Sequence, residues 1–97
     1  MTEAYPEAVL PDLAKSLHNQ CAVLRKLGRL EEAMAAINAA IAIRRGLVEE
    51  QPEAFLRDLA QALEDQSSLL NDLGRHQEAR AAGEEAAAIR GCRRTSH

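Results

Sequence analysis

Residues 6–17 read PEAVLPDLAKSL and residues 52–63 read PEAFLRDLAQAL; residues 26–44 read KLGRLEEAMAAINAAIAIR and residues 72–90 read DLGRHQEARAAGEEAAAIR. One shift of 46 brings both pairs into register, and between 6–45 and 52–91 it leaves 21 identities in 40 positions. The chain is one unit written twice, 6–51 and 52–97, behind a leader at 1–5 expected to be flexible. A repeat unit cannot bury its apolar face alone and gains stability by stacking on its neighbour. The sequence therefore predicts a single domain over 6–91, with a loose tail at 92–97 and no boundary between the halves.

Within each unit the apolar spacing is helical. Leu10, Leu13, Leu17, Cys21, Leu24 and Leu27 recur at steps of three or four, which draws one stripe on a helix. Gly28 then stands where a helix ends on a left-handed residue without a Cβ penalty. Leu30, Ala33, Met34, Ile37, Ala40, Ile41 and Val48 continue the spacing in a second helix. The second unit repeats the scheme with Leu56, Leu59, Leu63, Ser67, Leu70 and Leu73, then Gly74, then Ala79, Ala82, Ala86 and Ile89. Composition agrees, with nineteen Ala and thirteen Leu against two aromatic residues, Tyr5 and Phe55. The reading is all-α: four helices near 7–27, 30–50, 53–73 and 76–91, forming two stacked helix-turn-helix hairpins. Pro52 suits a first helical turn, whereas Pro11, opposite Arg57, predicts that the first helix starts or bends there.

The residues at fixed places carry a resemblance. Leu17, Cys21, Leu24, Gly28, Ala33 and Ala40 recur as Leu63, Ser67, Leu70, Gly74, Ala79 and Ala86. Large, small, large, turn glycine and two alanines one heptad apart resemble the tetratricopeptide repeat, and the match covers nearly the whole chain. The unit is longer than the usual length of about 34 residues, so it is more similar to the long kinesin-light-chain-like and bacterial variants. Arg45 stands where a helix-ending proline is common, Gln20 and Gln66 replace a usual leucine, and Gly83 faces Ile37 at the position between the alanines. The resemblance implies a fragment of an α–α superhelix whose first helices line a concave, peptide-holding surface. It also matches Asn19 to an asparagine that touches bound peptide in the kinesin-light-chain-like repeats, with Asp65 as the counterpart here. A carboxylate-clamp groove is not reproduced, since Ala22 stands where its asparagine would be.

Chemistry has little to work with. The net charge of −3 and pI near 5.6 argue against a general grip on nucleic acid phosphates. No run of about 18 apolar residues is present to span a membrane. The opening MTEAYPEA lacks the basic-then-apolar pattern of a secretory signal, and two cysteines make no disulfide framework, so a cytoplasmic setting is expected. No CxxC, HxxxH or HExxH spacing suggests a metal, and five isolated glycines cradle no phosphate, so no cofactor is expected. His18 and Cys21 lie three apart and can be written as a nucleophile pair, but Cys21 holds the small-residue position of the repeat and no orienting third group follows.

A charge pattern remains. Lys15, His18, Arg25 and Lys26 follow helical spacing on the first helix, while Gln61, Glu64, Asn71 and Asp72 are neutral or acidic at the equivalent places. Two readings stand: an ordinary solvated face, or a groove for a protein or peptide partner lined by Lys15, His18, Asn19, Arg25, Lys26, Glu64, Asp65 and Asn71. The expected function is a non-catalytic protein-interaction module, with a self-associating structural piece or a fragment of a longer array as the rival. For self-association, Phe55, Ala62, Leu69 and Leu73 form a second apolar line on the third helix that no following hairpin covers. That line predicts a two-fold homodimer.

Overall fold

The structure, a computed structural model, describes residues 10–95 and the side chains of 10–91. Four helices follow in order: α1 Leu10–Lys26, α2 Leu30–Glu50, α3 Pro52–Asp72 and α4 His76–Thr95, with no strand among the described residues. The leader expected to be flexible at 1–5 lies outside the described residues, as do 6–9, 96 and 97. Pro11 lies within the described α1, and the expected start or bend at that point turns on residues before Leu10, outside the described residues. α4 departs from expectation by running on to Thr95, so residues 92–95 of the expected loose tail are helical. Gly91 does not stop it, because only Gly28 and Gly74 take positive φ.

Those two glycines build identical turns. Gly28 has φ +83° and Gly74 φ +82°. Around the first, Arg29 N–H bonds the Leu24 carbonyl at 2.9 Å and Gly28 N–H the Arg25 carbonyl at 3.0 Å; around the second, Arg75 bonds Leu70 at 2.8 Å and Gly74 bonds Asn71 at 3.0 Å. This is the Schellman closure, which satisfies orphan carbonyls and reverses the chain into the next helix. Between the hairpins the link is one residue, Gln51, and Pro52 opens α3.

Packing runs α1 on α2, α2 on α3 and α3 on α4, within a Cα envelope of 39 × 37 × 17 Å. One apolar cluster joins all four helices, from Cys21 through Ala33, Ile37 and Ala40 to Leu63, Leu69, Ala79 and Ala86. Ala33, Ala40 and Ala86 are all but inaccessible, which lets backbones approach at the close end of the 8–10 Å range. Ser67 donates its hydroxyl to the Ala79 carbonyl at 2.7 Å, tying α3 to α4 where α1 has Cys21. A Cβ on Gly83 would meet that same Ser67 Oγ at 3.4 Å, so the glycine seats α4 closely on α3.

The apolar line expected to face outward on α3 faces inward. Ala62 and Leu69 are 0% exposed, and Phe55 and Leu73 are half-buried. Gln66, on the same side of α3, donates to Asn38 of α2 at 2.8 Å, so this line lies on the preceding hairpin. A homodimer through it would require the core to open. The reason is the direction of stacking: a unit lays this line back onto the unit before it, not forward. The uncovered copy is therefore on α1, where Val23 is 56% and Leu27 66% exposed.

Enlarging a spacing residue tests the packing. Ala40→Leu should overpack the α1–α2 contact and cost about 1–3 kcal/mol, read as a lower melting temperature; an unchanged one would mean that α2 presents a different side to α1.

Candidate functional site

The first helices of the two units lie close enough for their side chains to pair, and the pairing is regular. His18 Nε2 bonds the Asp65 carboxylate, and Arg25 Nε donates to Asp72 Oδ2 at 2.8 Å; both pairs are separated by 47 residues. The separation is one repeat plus one residue, so the same rung recurs at two levels of one ladder. Two members of the α1 stripe, His18 and Arg25, thus find their partners on α3 within the chain. Of the eight residues expected to line a groove, His18, Arg25 and Asp65 are held in this ladder. Glu64 is held by Arg90 at 2.7 Å, and Asn71 accepts from His76 Nδ1 at 2.8 Å. Lys15, Asn19 and Lys26 are exposed and make no ion pair or side-chain hydrogen bond among the described residues.

Arg44 is a participant that the sequence reading passed over. It is 8% exposed, the one buried charged side chain among the described residues. Its Nη1 donates to His18 Nδ1 at 2.8 Å and reaches the Asp58 carbonyl at 3.3 Å. With Nδ1 accepting from a guanidinium, His18 carries its proton on Nε2, toward Asp65. A chain Arg44–His18–Asp65 therefore links α2, α1 and α3. Burial pushes the Arg44 guanidinium down from its ordinary value, while Asp58 and Asp65 push it back up. A signal did exist: Arg44 and Arg90 are identical residues at equivalent places on the second helices, and Arg90 reaches Glu64, the counterpart of His18.

The opposite side of the stack has its own clamp. Arg45 makes a two-toothed contact with Glu85, at 2.6 and 3.1 Å, joining α2 to α4. Here α2 continues for another turn past the point where a proline is common, and its arginine ties the two units together. The hydrogen bond from Arg45 holds the Glu85 carboxyl below its ordinary range, against a smaller opposing effect of burial.

Cys21 is buried, and its thiol is pushed up first by desolvation and then by the Asp65 carboxylate, with Arg25 pulling the other way. His18 has both ring nitrogens engaged by Asp65 and Arg44. The pair written from the sequence is therefore a protonated thiol beside a histidine committed elsewhere, which is the environment of an inert cysteine. Beside it an open cleft of about 400 Å³ is lined by Cys21, Ala22, Arg25, Lys26 and Asp65. No group of three or more His, Cys, Asp or Glu suited to a metal occurs among the described residues, and no helix there is long and apolar enough to cross a membrane.

No family model, curated protein or solved structure matches the chain.

Two measurements follow from the site. In a Cys92→Ser background, Cys21 should react with iodoacetamide more slowly than a free thiol at neutral pH; labelling faster than the free thiol would indicate a stabilised thiolate. Because Glu85 is depressed in the folded state, its contribution is present above about pH 4.5, the ordinary value, and is lost as pH falls through the folded value. The melting temperature should therefore drop on acidification below that point, and Arg45→Met should flatten part of the drop.

Proposed function

We propose that the chain is a non-catalytic protein-interaction module of the tetratricopeptide kind, which holds an acidic peptide or helix along the α1–α3 side. The observation that carries this reading is the cleft lined by Cys21, Ala22, Arg25, Lys26 and Asp65, with Lys15 and Asn19 at helical spacing from Ala22 and Lys26 along α1; the polar ends of Lys15, Asn19 and Lys26 have no partner among the described residues. Two exposed ammonium groups and an amide, next to a small-residue floor, fit carboxylates and a peptide backbone. The doubled unit, the paired Schellman turns and the alanine spacing support the family likeness. The ladder narrows the site: His18 and Arg25 are spent on Asp65 and Asp72, so recognition falls to Lys15, Asn19 and Lys26. The buried free thiol of Cys21 accords with a cytoplasmic setting.

Fluorescence anisotropy with a labelled amphipathic peptide bearing carboxylates one heptad apart tests the proposal. Binding should appear in the micromolar range and weaken with salt, since exposed charges are screened over about 8 Å at physiological ionic strength. Lys15→Glu with Lys26→Glu should abolish it while the helical circular dichroism stays intact. Binding that survives both reversals removes these residues from the mechanism.

A further inference from the structure

The two ends of the stack are unlike. On α2 the side that meets α3 carries Met34, Asn38 and Ile41, with Met34 and Ile41 buried and Asn38 bonded to Gln66. The equivalent positions on α4 are Arg80, Glu84 and Ala87, all exposed, and Arg80 pairs with Glu84 at 3.6 Å. That end is finished with a polar surface. At the other end, α1 exposes Val23 and Leu27, whose counterparts Leu69 and Leu73 on α3 are covered by α2. The repeat thus supplies a worked example of what belongs on α1.

We propose that the outer face of α1 docks an acidic helical hairpin of a partner protein, seated as the α1–α2 hairpin is seated on α3. This rests on the reading of the chain as an interaction module and adds to it an apolar face that shares only Lys26 with the cleft. The partner's second helix would lay an aliphatic side on Val23 and Leu27 and offer an amide or carboxylate to Gln20, as Asn38 does to Gln66. Its first helix would face Lys26. In the chain's own junction, Arg25 faces Asp72, and Lys26 is the counterpart of Asp72. The sign is reversed, so the incoming helix needs a carboxylate where α1 has an arginine. A second copy of this chain does not meet the requirement. It would bring Arg80 where Met34 packs and the neutral Asn71 where the carboxylate belongs.

The test uses this chain, rebuilt as a probe. The changes Asn71→Glu, Arg80→Met, Glu84→Asn and Ala87→Ile fall on exposed positions and give its last hairpin the required surface. Adding Val23→Glu and Leu27→Glu to the probe closes its own α1 face, so it can join only one wild-type chain. Light scattering and calorimetry on the mixture should show a one-to-one complex in the micromolar range. The complex should vanish when the wild-type partner carries Val23→Ser and Leu27→Ser, and should weaken about tenfold when the probe carries Asn71→Lys in place of Asn71→Glu. Circular dichroism on each variant confirms folding. A folded probe that forms no complex, or a complex indifferent to Val23 and Leu27, overturns the proposal. Either result with peptide binding retained would leave the cleft reading standing. Loss of peptide binding alone, with the complex retained, would overturn the cleft and uphold the docking face.

Discussion

Met34 and Ile41 on one side of α2, and Ala33, Ala36 and Ala40 on another, are all buried, so α2 must have a helix against each of two sides. A helix with so much apolar surface cannot be satisfied by its hairpin partner alone. α1 takes the alanine side, where small side chains allow close approach, and α3 takes the methionine and isoleucine side. Once α3 is fixed, its own stripe of Leu59, Leu63 and Leu70 needs a cover, and α4 supplies it with Ala79, Ala82 and Ala86. α4 then ends the chain of demands. It carries Arg80 and Ala87 where α2 has Met34 and Ile41, and so requires one neighbour instead of two.

Charge plays a different part. The Arg25–Asp72 pair is partly exposed, and such a pair contributes about 0–1 kcal/mol, while His18 gives Asp65 a hydrogen bond from Nε2. Their value is in register, because a slip of either unit along the other would bring like charges or bare amides together. The buried Arg44 acts more strongly. It reaches His18 on α1 and the Asp58 carbonyl on α3 at once, so it fixes the junction of all three helices. Removing one member of such a buried set leaves the others unsatisfied, which costs more than the pair itself is worth.

The doubling of the sequence made the fold legible, because two copies of one apolar pattern mark helix ends, turns and hairpins together. Gly28 and Gly74 ended helices as read, while the stop read for α4 near 91 failed, because Gly91 does not take positive φ and the helix runs on to Thr95. Periodicity stated that Phe55, Ala62, Leu69 and Leu73 share a side but not which neighbour covers it. That depends on the direction in which hairpins stack, a property of the backbone path. The charge ladder was hidden for a similar reason. Its partners lie 47 residues apart, one more than the repeat, so aligning the units places His18 over Glu64 and not over Asp65. Opposite signs in the two units fit a solvated face or a groove for a partner, and the extra residue of offset pairs two of them with each other.

The exposure of Val23 and Leu27 on α1 sets a thermodynamic bound on the proposed docking. Covering Val23 and Leu27 contributes about 1.5–3 kcal/mol for each side chain if burial is complete. Association costs an estimated 4–15 kcal/mol in lost freedom, so this apolar contact cannot hold a partner without help. The help has to come from charge around Lys15 and Lys26 and from a polar contact at Gln20, and charge at an exposed rim acts on encounter and choice more than on residence. A surface of this composition suits reversible docking with a sign preference. The α4 surface of another copy, with Arg80 paired to Glu84, offers α1 no aliphatic side to pack on. Exposed aliphatic side chains on α1 and a charged pair on α4 give the stack a polarity, and the proposed docking uses only its α1 side.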